Sequence, residues 1–273
     1  MEKIINNQVV YYKSSNINIP HCFTTKLGGV STGYPATMNF DTSKDTKENV
    51  MENFKIISAT LGFKFESLTM VNQKHTNIVV TIKNQDMGNI IFKKDNFAPA
   101  DAMVTNSPGV TLVTSHADCL ALYFYDADKK VIGLAHAGWR GTVDDIATAT
   151  TEAMVRGFGC HPSNIKVAIS PGIMACCFEV DTPVAEEFLE KIPHIGKFVV
   201  PHSSKNEKSK EKFTINLQEI NKALLIDAGI LNANIEMSSL CTKCNGDIFH
   251  SNRLSGLKRG SMGAMISLKQ GKS

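Results

Sequence analysis

Two hydrophobic periods alternate along the chain. Near the start, "QVVYYK" predicts a short strand, and the following "HCFTTKLGGVSTG" carries paired glycines and hydroxyl side chains that predict a polar loop with accessible backbone amides. From Thr46 to about Gly62 the period changes, with Val50, Phe54, Ile57 and Leu61 recurring at helical steps and Gly62 suited to cap the end. "LTMVNQKHTNIVVTI" predicts a strand pair around a polar turn, with His75 at the turn or at a strand mouth. The runs "GVTLVT", "LALYFYD" and "KVIGLAHA" are apolar almost throughout, which predicts strands covered on both faces, with "DADKK" turning between the last two. After Gly141 the stretch "TVDDIATATTEAMVRGFG" predicts a helix capped by Thr142, with Asp145 at the capping-box distance and Gly157 or Gly159 ending it. "NIKVAISPGI" predicts another buried strand, "PVAEEFLEKI" and "INLQEINKALLIDAGI" two more helices, and "MGAMISL" a last strand.

"PHSSKNEKSKEK" has low complexity and predicts a solvated loop, and no stretch reads as a linker, so residues 1–273 are expected to form a single domain. Strands and helices mix without strict alternation, which predicts an α+β layered fold. With 42% hydrophobic and 20% charged residues, the composition is that of a globular chain able to bury a large core. The net charge of +3, without arginine runs or aromatic-basic alternation, argues against a nucleic-acid partner but suits a small anion such as phosphate. The first residues lack a secretory h-region and no apolar run is long enough to cross a bilayer, so the expectation is a cytoplasmic protein without a membrane partner. Seven cysteines cannot all pair within the chain, so each is judged as packing, ligand or nucleophile.

The candidate chemistry sits beside the most apolar strands. Cys119 follows Asp118 just before one buried strand, and His136 ends the next strand before "GWRG". If those strands are neighbours, thiol and imidazole meet at one end of a sheet, and His75 is the third candidate ligand of a zinc centre with an open position. The alternative is a buried free cysteine with two histidines that cap strand ends. His116 is closer to Cys119 in sequence, but residues three apart on an extended strand face opposite sides, so it is assigned a supporting, substrate-side place. Asp118 either orients a ligating histidine, serves as acid or base, or caps the turn. Arg140, beside the start of a helix after two glycines, and Lys26 in the "TTKLGG" loop are candidate phosphate-binding cations, with surface pairing and solvation as the alternatives. "CTKC" has the spacing of half a zinc ribbon or a redox dithiol, yet no second such pair exists, which favours packing. Glu179 and Arg253 are candidate site walls.

In order, "FTTKLGGVSTG", "MNFD", "NQKH", "ADAMVTN", "SHADCLALYF", "GLAHAGWRGTV", "SPGIMACCFEV" and "CTKC" with "DIFHS" resemble the bacterial laccase-domain family, also called the multicopper polyphenol oxidase or purine nucleoside phosphorylase family. The resemblance runs from about His21 to the last strand. It implies a layered α/β/β/α sandwich of mixed sheets with helices outside, and a zinc enzyme that phosphorolyses adenosine, inosine, guanosine and methylthioadenosine and also deaminates adenosine. It carries the metal ligands over to His75, Cys119 and His136, with purine nucleosides and inorganic phosphate as the partners. Lys26 departs from the arginine of many members, Ala121 from a frequent proline, and "FHSNRLSG" from a frequent aromatic-serine-tyrosine-arginine run, departures that bear on substrate preference. Rival readings are a copper-dependent polyphenol oxidase, a metal-free hydrolase using Cys119 with His136 as base, and a role in peptidoglycan precursor editing. Eight scattered histidines without an HxH pair disfavour the copper oxidase.

Overall fold

A computed structural model of the chain describes residues 1–32, 37–88, 98–202 and 211–268. In chain order the described strands begin with β1 (Glu2–Asn6), β2 (Val9–Lys13), β3 (His21–Thr24), β4 (Leu68–Thr69), β5 (Val79–Thr81), β6 (Ala102–Thr105) and β7 (Thr111–His116). They continue with β8 (Leu120–Asp126), β9 (Val131–Ala137), β10 (Lys166–Ile169), β11 (Glu179–Asp181), β12 (Val199–His202), β13 (Lys212–Ile215), β14 (Ile235–Met237) and β15 (Met262–Ser267). The α-helices are α1 (Lys47–Leu61), α2 (Trp139–Val143), α3 (Ile146–Phe158), α4 (Thr182–Lys191), α5 (Leu217–Asp227) and α6 (Asn252–Ser255).

Two six-stranded mixed sheets form the frame, ordered β1-β2-β3-β15-β7-β4 and β14-β10-β8-β9-β6-β5, with a three-stranded sheet β11-β13-β12 beside them. Side-chain alternation assigns the layers. On β8, Leu120, Leu122 and Phe124 join a core with Met154 of α3, Phe188 of α4 and Leu224 of α5. The intervening Ala121, Tyr123 and Tyr125 face the first sheet and pack with Phe23, Leu112, Met262, Ala264 and Ile266. The opposite face of that first sheet, including Tyr11, Val113 and Met265, is covered by Val50, Phe54 and Ile57 of α1. Helix, sheet, sheet and helix therefore stack as four layers, and each central strand buries both faces.

Local reading of the sequence fails where pairing is distant. The segment expected to be a strand pair is a crossing instead: β4 runs parallel to β7 in the first sheet, and β5 runs parallel to β6 in the second. His75 lies on that crossing. His21–Thr24, expected as loop, is strand β3, paired with β2 and β15. Thr142 does not cap the helix after Gly141, because it is buried within the five-residue α2 and accepts a hydrogen bond from Asn221. The cap of α3 is Asp145, whose side chain accepts from the Thr148 amide, and Gly159 ends the helix in the left-handed region. The first helix follows its sequence signals, with Thr46 at the N-cap and Gly62 at the C-cap. Residues 203–210 of the charged loop lie outside the described residues.

Candidate metal centre

Antiparallel pairing of β8 with β9 sets Leu120 opposite Ala137 and Ala121 opposite His136, so Cys119 and His136 reach the same end of the second sheet. Pairing of β9 with β6 sets Ala135 opposite Ala102, which brings Asp101 to that end as well, with the His136 amide donating to the Asp101 carbonyl at 2.7 Å. The crossing from β4 to β5 delivers His75. One ligand atom each from His75, Cys119 and His136 lies within 4.8 Å of the other two, and Cys119 Sγ is 4.0 Å from His75 Nε2. Two imidazoles and one thiol at such separations match the donor set of a three-ligand zinc centre, in which zinc stands about 2.0–2.3 Å from each donor. His136 is buried, Cys119 is half-buried and His75 is exposed, so the open side lies toward His75.

Two turns of the site have strained backbone. His75 has φ +60° and Asp118, next to Cys119, has φ +81°, in a region that side-chain-bearing residues seldom occupy. Asp101 holds the His75 turn: Oδ2 accepts from the Lys74 amide at 3.0 Å, the Thr76 amide at 2.7 Å and the Thr76 hydroxyl at 3.0 Å. Its Oδ1 accepts from His136 Nδ1 at 2.8 Å, which leaves Nε2 of that ring as the nitrogen free to ligate. Burial pushes the Asp101 carboxyl up, but His136 and the Thr76 and Lys74 amides outweigh it and hold it down at about 2. Burial likewise raises Cys119, while the neighbouring His136 and His75 lower it to about 6. Burial opposes charging of His136, but the Cys119 sulfur and Asp101 raise it to about 9. The site thus favours a thiolate among cationic or ligating partners. Gly138 has to be glycine for space: a Cβ there would stand 2.7 Å from His75 Cδ2 and 3.1 Å from Cys119 Sγ.

Two cavities meet at the trio. A polar one of about 280 Å³ is lined by all three residues with Asn72, Ser115 and Arg259. A wider one of about 400 Å³ is lined by His75 and Cys119 with Trp139, Arg140, Phe178 and Arg253. Arg140 is exposed with its guanidinium stacked 4.2 Å from the Trp139 ring. Lys26 lines neither cavity; its Nζ donates to the Gly246 carbonyl at 2.5 Å. His116 is buried at the polar cavity, and both its ring nitrogens are engaged, with Thr114 Oγ1 at 2.7 Å and the Cys119 carbonyl at 3.2 Å. Asp118 accepts from the Thr242 hydroxyl at 2.6 Å and from the Arg253 amide at 2.7 Å, so its carboxylate is committed to holding the turn before Cys119.

Sequence reasoning singles out neither Asp101 nor Arg259. Asp101 carries one signal, an aspartate set directly before a buried strand; Arg259 carries none, because its role depends on the turn that seats it beside Asp41 at 3.3 Å.

Residues 20–269 match the family described as multi-copper polyphenol oxidoreductase laccase. A purine nucleoside phosphorylase of Deinococcus radiodurans is 35% identical over 256 residues, covering 94% of this chain and 92% of its own length. The adenosine deaminase RL5 of an unknown prokaryotic organism is 30% identical over 241 residues, covering 87% of this chain and 90% of its own. The crystal structure of the Bacillus licheniformis hypothetical protein YfiH superposes with a TM-score of 0.87 at 30% identity, covering 97% of both chains. On sequence and on fold together, the chain belongs to the multi-copper polyphenol oxidoreductase laccase family.

Proposed function

We propose that the chain is a zinc-dependent purine nucleoside phosphorylase, acting on adenosine, inosine, guanosine and methylthioadenosine, with adenosine deamination as a second activity of the same centre. The observation that carries this reading is the convergence of His75, Cys119 and His136 where the two cavities meet. The names of the relatives support it, one being a phosphorylase and another an adenosine deaminase. His75, Cys119 and His136 would hold the zinc, which supplies Lewis-acid charge stabilisation when bound.

The chain's own residues do the rest. The wider cavity is lined by the aromatic side chains of Trp139 and Phe178, apolar surface suited to a purine. Arg140 brings a permanent cation to the same cavity for phosphate, whose negative charge is then held next to the cationic sugar that develops as the glycosidic bond breaks. Asp101 fixes the His136 tautomer and the His75 turn, and Asp118 fixes the turn before Cys119, so the reacting groups need little reorganisation.

Purified protein incubated with adenosine, with and without phosphate, tests the reading. Adenine and ribose 1-phosphate appearing only with phosphate, and inosine appearing without it, are the expected products; no turnover in either condition refutes it. A specific observation favours one rival: a ligating nitrogen of the buried His136 lies within 4.8 Å of Cys119 Sγ, the thiol–imidazole proximity that a Cys119–His136 hydrolase needs. Full activity after complete chelation would select that rival.

A further inference from the structure

A second cluster of metal-ligating side chains lies outside this centre. Cys176 and Cys177 sit on the loop that follows β10, and Cys241 and Cys244 on a turn joined to that loop by the Gly172–Cys241 bridge. All four sulfurs lie within 4.8 Å of one another, with Cys177 to Cys244 at 3.4 Å and Cys176 to Cys244 at 3.7 Å. No pair is a disulfide, for which the sulfurs would stand about 2.05 Å apart. Four thiolates placed tetrahedrally at about 2.3 Å from one ion are separated from each other by about 3.8 Å, close to the 3.4 and 3.7 Å spacings and inside the 4.8 Å limit that holds for all four. We propose that Cys176, Cys177, Cys241 and Cys244 form a tetrathiolate zinc site, structural in role and separate from the His75–Cys119–His136 group.

The turn that carries half of the ligands is shaped for the task. The Asn245 backbone amide closes it onto the Cys241 carbonyl at 3.1 Å, and the Asn245 side-chain amide donates to the same carbonyl at 2.8 Å. Soft sulfur donors in a closed tetrahedron select zinc over the harder divalent ions, and a closed four-sulfur set leaves no position for substrate. Only Cys241 of the four is buried, so the other three sulfurs are not held in place by core packing alone.

The site acts on the first centre through the polypeptide. Thr242, inside the Cys241–Cys244 turn, donates to Asp118, and the Arg253 guanidinium donates to the carbonyls of Cys177 at 3.5 Å and Glu179 at 2.7 Å. An ion that clamps the two loops therefore fixes both the wall of the wider cavity and the turn that presents Cys119. The assignment does not depend on the proposed reaction.

The test measures zinc per chain in the full-length protein, purified with reductant and dialysed against metal-free buffer. Wild type should retain about two equivalents, H75A about one, and H75A combined with C176S and C244S none. Cobalt-loaded H75A should show the sulfur-to-cobalt charge-transfer and visible bands of a tetrahedral thiolate site, and the combined variant should lose them. If the combined variant does not fold, titrating H75A with an organomercurial should release its zinc, seen with a chromogenic indicator, as these four thiols are modified. Zinc-free H75A, or a disulfide among the four in the intact mass of the reduced preparation, overturns the proposal.

Discussion

Asp101→Asn isolates the link between a single carboxylate and the proposed metal centre. In the native site Oδ1 accepts from His136 Nδ1, while Oδ2 accepts from two backbone amides and the Thr76 hydroxyl. Asparagine is best placed with its oxygen at the Oδ2 position, because the reverse orientation would set an NH₂ group against three donors. The loop that carries His75 is then kept, and the change is confined to His136: its Nδ1 now faces a donor, so the ring proton moves to Nε2, the nitrogen needed for ligation. Loss of such a supporting partner lowers metal affinity by about 10–100-fold, or about 1.4–2.7 kcal/mol. Zinc affinity measured by competition with a chelator reads this directly, and circular dichroism checks the fold. Asp101→Ala should cost more in thermal stability than Asp101→Asn, since it leaves the Lys74 and Thr76 amides without their acceptor, at about 1–3 kcal/mol for each group left buried. Native zinc affinity in a folded Asp101→Asn protein would refute the account.

Gly138→Ala should lower zinc affinity by about tenfold or more while leaving the unfolding midpoint of the metal-free protein nearly unchanged, because the added methyl displaces the exposed His75 rather than the core. Chelator competition and thermal melts on the same sample check both halves. His250 is pushed down to about 4 by burial, with the Lys26 and Arg259 cations adding to the effect against the Met38 carbonyl, so the folded chain keeps it neutral while the unfolded chain protonates it below about 6.5. Its contribution is fully present above pH 6.5 and is lost as pH falls toward 4, by up to about 3 kcal/mol; urea melts should show a shallower acid loss in His250→Gln than in wild type. Tyr123→Phe removes a buried hydroxyl that donates to the Cys22 carbonyl at 2.6 Å between the two sheets, and should cost about 1 kcal/mol in the same assay.

What was legible in the sequence follows from how local each determinant is. Helix α1 announces itself through Thr46, its apolar period and Gly62, all within one stretch of chain. Strands β8 and β9 are legible because both faces are buried, which leaves an apolar run that only a covered strand explains. Strand β1 is not, since Glu2–Asn6 is an edge strand, mostly exposed, with no face to pattern. The three-stranded sheet is missed for the same reason: β11 holds one buried residue among three. His75, Cys119 and His136 are identifiable as reactive types, and the resemblance assigns them a shared role, but the distances among them depend on which strands pair. Asp101 stayed hidden because its four hydrogen bonds reach residues 25–35 positions away.

That dependence on pairing also explains how reactive groups can be held still. A one-residue slip of β9 against β8 would turn His136 from the space between the sheets toward the helix layer and would break its contact with Asp101. The same slip would exchange the two faces of a strand on which Ala135 and Ala137 belong to the helix-side core and Leu134 and Ile132 to the core between the sheets. Small side chains would then leave voids where Leu134 and Ile132 packed, and those two would be forced into space filled by α3. Each mispacked side chain costs about 1–3 kcal/mol, so a single register accounts for nearly the whole population. The separations among His75, Cys119 and His136 are therefore set by the core, and the strained turns at His75 and Asp118 persist because the strands on either side of them cannot yield.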